Sequence, residues 1–235
     1  WASGDYYLNI DNVLFEDGMN MSYSGATTTQ PNTTNVAVGS QNNDIIRLQV
    51  VTQKSANPLI MTSITFNTTG STAPVTNNIE AAKVFYTTTP EFSTATQFGS
   101  ASSNPSDDFT ITGNQSLVQG NNYFWLAYDI KETAVIGNVV DARCTSFITS
   151  ESGIGKIPQN INPAGNRKIG GEISGIKTIP GDFATLAEAV NALNDGVIGS
   201  GGVTVNLTAG HIENITAPIV LRATGTSSRP IVFQK

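Results

Sequence analysis

The run Tyr123–Tyr128 is the part of this sequence whose residue types could bind a sugar. Aromatic rings stack on apolar surfaces such as sugar faces, and Trp and Tyr add a polar group to a large ring. In a β-strand, Phe124, Leu126 and Tyr128 would face one side, while Tyr123 and Trp125 would face the other. A strand that is apolar on both faces is typical of a sheet centre packed on both sides. Core packing is therefore favoured, and a glycan-binding site at Trp125 and Tyr123 stays the alternative.

The aspartates Asp107, Asp108, Asp129 and Asp141 carry the hard oxygen ligands that Ca²⁺ prefers. The sequence has no Asp-x-Asp-x-Asp-Gly loop that would arrange such ligands around an ion. Solvated loop acids are the favoured interpretation, and the adjacent pair Asp107 and Asp108 is the candidate calcium site. No other cofactor is indicated.

The single Cys and the single His limit the remaining chemistry. Cys144 lies on the more apolar face of a predicted strand, so we expect a buried, inert thiol. His211 follows Ala209 and Gly210 at a predicted turn, where no second His or Cys can join it as a metal ligand. A Ser-His-Asp triad, a His-rich metal site and an internal disulfide are all disfavoured.

The overall composition excludes several classes of protein. The 235 residues include 12 Lys and Arg against 18 Asp and Glu, a net charge of −6, so nucleic acid binding is disfavoured. The sequence has no apolar run long enough to span a membrane. A hydrophobic share of 39% supports a packed core. Abundant Ser, Thr, Asn and Gly with few charges is typical of secreted bacterial β-proteins, so we expect an extracellular or cell-surface location.

Period-2 alternation recurs from about residue 45 to residue 148, and turn-forming clusters separate the runs. These runs predict an antiparallel β-sandwich. Residues 27–40 are polar and predict a loop or an edge strand. Between Thr149 and Ser174 the chain is rich in Gly and Pro, which predicts a boundary. The predicted strands are Ile45–Val50, Ile60–Phe66, Ala82–Thr87, Phe109–Thr112, Tyr123–Ile130 and Val139–Thr149.

One helix is predicted beyond this boundary. Thr185 and Glu188 have the spacing of a capping box, and Leu186, Val190 and Leu193 follow on one helical face. The run Asn194–Gly196 is a stop signal.

Three short β runs are predicted after the helix, and the glycine-rich stretch Gly199–Gly202 is interpreted as a turn. Val205 and Val232 are 27 residues apart, which fits one coil of a parallel β-helix. Because about three coils are needed to bury a continuous core, we expect the sequence to be part of a longer chain, with the helix capping the first coil. The predicted runs are Val203–Leu207, Ile219–Leu221 and Ile231–Phe233.

The sequence contains, in order, the segments Met21–Gln30, Asn57–Leu59, Phe66–Gly70, Ala82–Thr87, Phe98–Gly99, Gly120–Asp129 and Gly137–Ala142. Together they resemble the module named for the N-terminal domain of BNR-repeat neuraminidases, over about residues 19–169. Residues 175–235 resemble the start of a pectate-lyase-like right-handed β-helix, through Thr178–Phe183 and Gly210–Asn214. The resemblance implies a secreted or cell-surface protein of the Bacteroidota, exported through the type IX secretion machinery.

The expected fold class is all-β, an antiparallel Ig-like or jelly-roll β-sandwich followed by the helix-capped start of a right-handed parallel β-helix. We assign residues 1–18 to an upstream segment or a first strand, 19–169 to the sandwich, 170–177 to a linker, and 178–235 to the cap helix and first coils.

The chain itself is expected to be non-catalytic, because no Ser-x-Asp-x-Gly-x-Thr-Trp repeat occurs in it. The favoured hypothesis is a structural or adhesive part of a large adhesin-like surface protein that contacts glycans or surfaces. The alternative is the accessory N-terminal region of an extracellular polysaccharide lyase or glycosidase. A glycan-binding module that uses Trp125 or Tyr123 is the third possibility.

Overall fold

A computed structural model describes residues 19–235, and the assignment of residues 1–18 lies outside this range. The described residues form one α-helix, α1 (Leu186–Asp195), and a series of β-strands. The strands are β1 (Ser22–Thr29), β2 (Val36–Ala37), β3 (Asn43–Gln53), β4 (Ile60–Asn67), β5 (Ile79–Thr87), β6 (Gln97–Ser103), β7 (Asp108–Ser116), β8 (Gly120–Ile130), β9 (Val139–Val140), β10 (Arg143–Thr149), β11 (Arg167–Gly170), β12 (Glu172–Ile179), β13 (Val197–Leu207) and β14 (Ile231–Gln234).

Two antiparallel sheets enclose the main hydrophobic core, which confirms the predicted all-β, sandwich-like architecture. One sheet has the order β1-β3-β8-β5-β6, and the other has the order β10-β4-β7. Ile46, Leu48 and Val50 of β3 are fully buried, as the alternation of that run predicted. Facing them from the second sheet are apolar side chains of the same core, among them Ile64 and Phe66 of β4. Strand β8 lies at the centre of the larger sheet and is buried on both faces.

Cys144 is fully buried in this core, as predicted. Burial raises the pKa of its thiol to about 12, so the group is an unreactive thiol at neutral pH. The predicted alternation of the surrounding strand fails after Cys144. A bulge between Cys144 and Ser146 turns Phe147 into the core, and Ile148 is left partly exposed.

The predicted linker at residues 170–177 is wrong, because most of it is strand β12. This strand pairs in parallel with β13, starting with Glu172 opposite Val197. Only Ile179 of the strand is buried, so its side chains show no apolar alternation. Backbone hydrogen bonds with β13 define this strand, so a side-chain pattern could not predict it.

Strands β12, β13 and β14 form a parallel sheet in that order. Val205 lies opposite Phe233, one position beyond the predicted partner Val232. Residues 219–221 are not a strand, and the predicted turn at residues 199–202 lies inside β13. Gly201 and Gly202 have φ values of 81° and 80°, and the pairing with β12 shifts register there. A short stack of parallel strands is therefore present, and a right-handed β-helix stays a prediction.

Helix α1 covers one side of this parallel sheet and begins as predicted. The Thr185 side chain accepts a hydrogen bond from the Glu188 N–H, and the Glu188 carboxylate accepts one from the Ala184 N–H. Leu193 is 1% exposed and packs in a second core with residues of β12 and β13. Across residues 19–235, no helix has the length and hydropathy needed to cross a membrane.

Polar contacts join the sandwich to the end of α1. Asn35 Nδ2 donates to the carbonyls of Asn194 and Gly196, each at 3.2 Å. The Lys168 ammonium lies 2.7 Å from the Asp195 carboxylate. These contacts satisfy carbonyls that a helix end otherwise leaves to water.

Candidate functional site

Tyr123 and Trp125 lie together on the outer face of the five-stranded sheet, as the alternation predicted. With Phe85 and Ala127 they form a small apolar cluster separate from the main core. Tyr123 is 6% exposed and Trp125 is 2% exposed. Neither ring is therefore open to stack on a sugar in this structure.

The cover over these rings comes from the loop between β5 and β6. Phe92 of this loop contacts the Trp125 ring with a centroid distance of 5.7 Å. The Arg47 guanidinium lies over the Tyr123 and Trp125 rings at 5.1 and 5.2 Å. The Trp125 indole N–H donates to Thr87 Oγ1 at 2.8 Å. The glycan site predicted at Trp125 and Tyr123 is thus a packed cluster, and sequence alternation alone could not show that Phe92 folds over it.

The candidate calcium ligands do not converge. Asp108 Oδ1 accepts a hydrogen bond from Asn67 Nδ2 at 2.7 Å, and the Asp107 carbonyl accepts one from the Thr68 N–H. Within residues 19–235, no three His, Cys, Asp or Glu side chains gather as metal ligands would. Asp129 forms an ion pair with Lys83 at 2.6 Å. A calcium site at Asp107 and Asp108 gains no support from this geometry.

Asp141 is the acidic side chain with the most unusual environment. It is 7% exposed, and its carboxylate forms no ion pair with a Lys or Arg in the described part of the chain. Burial raises the pKa of its carboxyl from 3.8 to about 6, although the Ala142 N–H donates to Oδ1 at 2.7 Å. A carboxylate at this position therefore destabilises the folded protein at neutral pH.

We expect Asp141→Asn to raise the free energy of unfolding by about 2–3 kcal/mol at pH 7.5. The folded state binds the Asp141 proton more tightly than the unfolded chain, so the contribution of this group to stability is lost as pH rises from about 4 to about 6. The amide oxygen can still accept from Ala142, and the gain should vanish near pH 3.5. Urea unfolding at both pH values measures the difference. Asp129→Asn is the control with the opposite sign, because it removes one partner of the Lys83 ion pair. A variant that is no more stable than the wild type at pH 7.5 would contradict the expectation.

A cleft of about 550 Å³ lies between α1 and residues 211–222. His211 Nε2 lies 2.6 Å from Glu213 Oε1, and the Glu213 carboxylate accepts from the Leu186 N–H at the start of α1. The hydrogen bond with the His211 ring, together with that N–H, lowers the pKa of the Glu213 carboxyl. The predicted turn at His211 is confirmed by its N–H, which donates to the Thr208 carbonyl.

The sequence did not predict the role of the pair His211 and Glu213 in this cleft. Glu213 is a second cap for α1, supplied from 27 positions along the chain. The available signal was the spacing of His211 and Glu213, which places both side chains on one side of an extended segment. Both Glu213 oxygens are already used as acceptors, so the arrangement stabilises the helix start and leaves no free base for proton transfer.

Comparison with known proteins identifies the sandwich. The family described as the N-terminal domain of BNR-repeat neuraminidase matches residues 25–152. The solved structure of the Hadza microbial sialidase Hz136 is similar to this chain, with 13% sequence identity and a TM-score of 0.48. The similarity covers 62% of this chain and 31% of the sialidase chain, so the chain spans about a third of that relative. No curated protein matches the chain. Because the family match extends over more than half of the residues, the chain belongs to the family of the N-terminal domain of BNR-repeat neuraminidases.

Proposed function

We propose that this chain is a non-catalytic, N-terminal accessory region of an extracellular carbohydrate-active protein. The family match over residues 25–152 is the observation that carries the proposal, since that family is described as the N-terminal domain of BNR-repeat neuraminidase. The sandwich acts as a rigid spacer, and the parallel strands that follow hold the next part of the protein in a fixed position.

Contacts at the junction support the spacer role. Asn35 and Lys168 of the sandwich bind the end of α1, and Arg167 fixes β11 from within the sandwich. Strand β12 begins two residues after β11 ends, so no flexible stretch separates the two parts. Such a connection transmits orientation from one part to the other.

The test is turnover by the chain alone. When the chain is incubated with a fluorogenic sialoside or with polygalacturonate, it should release no more product than a buffer blank. An active sialidase and an active pectate lyase serve as positive controls. Product release that scales with the concentration of the chain would overturn the proposal.

A surface adhesin remains a second candidate, favoured by the parallel stack of β12, β13 and β14, which can extend as a stalk. Under this proposal the stack is the start of a right-handed β-helix in a Bacteroidota protein exported by type IX secretion. The full gene separates the candidates. Repeated sandwiches over a very long chain favour an adhesin, and a β-helix with clustered Lys, Arg and Asp in its middle coils favours an enzyme.

A further inference from the structure

A second groove lies at the junction of the sandwich and the parallel sheet. It has a volume of about 600 Å³, within the range of about 300–1,000 Å³ found for small-molecule sites. One wall is the loop at Thr33–Asn35, and the other is the segment that runs from Arg222 to Arg229. The end of α1 and the start of β13 also line the groove.

The charge of this groove is opposite to that of the whole chain. Arg222 and Arg229 both line it, and none of its lining residues is Asp or Glu. The chain carries a net charge of −6, so two arginines in a groove lining without a carboxylate are a local excess of positive charge. Neither arginine forms an ion pair with any residue in the range 19–235.

Two negative features at the end of α1 beside the groove already have partners. Carbonyls at the end of a helix repel anions, but Asn35 Nδ2 donates to two of them, those of Asn194 and Gly196. The Asp195 carboxylate is paired with Lys168 at 2.7 Å. Both contacts reduce the repulsion that an anion in the groove would meet from the end of α1.

The backbone that carries these arginines is held in place. Asn194 Oδ1 accepts from the N–H groups of Arg222 and Ala223 at 2.6 and 2.9 Å. The Arg229 N–H donates to Thr226 Oγ1 at 3.1 Å, and its guanidinium reaches the Ile198 carbonyl at 3.4 Å. The Arg222 guanidinium makes no hydrogen bond with the residues that the structure describes, so its five donors are free for a ligand.

We propose that this groove binds an anionic saccharide, a sugar unit that carries a carboxylate or a sulfate. The planar fork of arginine matches such oxyanions with paired, charge-assisted hydrogen bonds. Free hydroxyl groups of Thr33 and Thr224 line the same groove and can bind sugar hydroxyls. The inference holds whether or not the chain serves a larger enzyme, because it concerns binding by the chain itself.

Isothermal titration of the 235-residue chain at low salt tests the proposal with four probes. Trigalacturonate carries carboxylates, lactose 3′-sulfate carries a sulfate, lactose is the neutral control, and inorganic sulfate is the anion without a sugar. Trigalacturonate or lactose 3′-sulfate should bind with a millimolar or lower Kd that weakens as NaCl is added, and lactose should not bind. Which of the two anionic sugars binds shows whether the groove recognises a carboxylate or a sulfate.

Arg222→Gln and Arg229→Gln should each weaken binding about tenfold or more, because each removes charge-assisted hydrogen bonds. Lys54→Gln removes the same charge from an exposed loop and should leave the Kd unchanged. Arg222→Gln removes no side-chain hydrogen bond or ion pair within residues 19–235, so its thermal unfolding should match the wild type. The proposal is overturned if neither anionic sugar binds up to about 10 mM, if inorganic sulfate binds as tightly as lactose 3′-sulfate, or if Lys54→Gln weakens binding as much as the arginine variants.

Discussion

Replacing Arg167 with alanine should lower the free energy of unfolding by about 3–5 kcal/mol. Arg167 is 5% exposed at the start of β11. Its Nε donates to the Thr34 carbonyl at 2.8 Å, and one terminal nitrogen donates to the Asp44 carbonyl at 2.8 Å and to Asp44 Oδ1 at 2.9 Å. One side chain thus joins β11 to β3 and to the loop that precedes β2. Alanine removes the charged partner of the Asp44 carboxylate, whose Oδ1 keeps only the Asn32 amide as a donor. It also removes the Arg167 donor from the Thr34 and Asp44 carbonyls in a nearly closed site.

The neighbouring residue provides a matched control. Lys168→Ala also removes a positive charge and an ion pair, but the two side chains of that pair are 37% and 66% exposed. An exposed pair contributes about 1 kcal/mol or less. Urea unfolding followed by circular dichroism measures both variants. Similar losses for Arg167→Ala and Lys168→Ala would show that the buried network contributes no more to stability than an exposed ion pair does.

Local sequence signals predicted the features that depend on neighbouring residues. Alternation in β3 identified Ile46, Leu48 and Val50 as core, and the capping box located the start of α1. In both cases the sequence pattern and the burial pattern have the same period. Strands β1 and β6 were harder to recognise, because they lie at the edges of the larger sheet and bury only one or two side chains each.

The features that were missed depend on residues far apart in the chain. Arg167 binds residues more than 120 positions away, and Phe92 covers Trp125 from a loop with no apolar pattern. Glu213 caps a helix that begins 27 positions earlier. The groove at Arg222 forms only where the sandwich loop meets the parallel sheet. Such contacts are fixed by the tertiary fold, so composition and spacing carried no signal for them.

Replacing Leu193 with aspartate should unfold the parallel sheet and α1 while the sandwich stays folded. Leu193 is 1% exposed, and its loss together with a buried carboxylate should cost more than about 5 kcal/mol locally. Its core shares no residue with the main core of the sandwich. The second substitution Leu186→Asp should add to the effect, because Leu186 packs against the same core.

Limited proteolysis with mass spectrometry measures this outcome. Cleavage should concentrate after Gly170, where β11 ends, and leave a resistant sandwich fragment. Asn191→Asp is the matched control, since it adds the same charge to an exposed position on the same helix and should leave the digestion pattern unchanged.

Two other outcomes would contradict the separation of the cores. Equal resistance of Leu193→Asp and wild type would mean that the second core does not depend on Leu193. Simultaneous digestion of the sandwich would mean that the contacts of Asn35 and Lys168 with α1 make one cooperative unit. The polar contacts at the junction are few and partly exposed, whereas each core is apolar and closed. Because apolar burial outweighs such contacts, the two parts should unfold separately and still be held in a fixed orientation when both are folded.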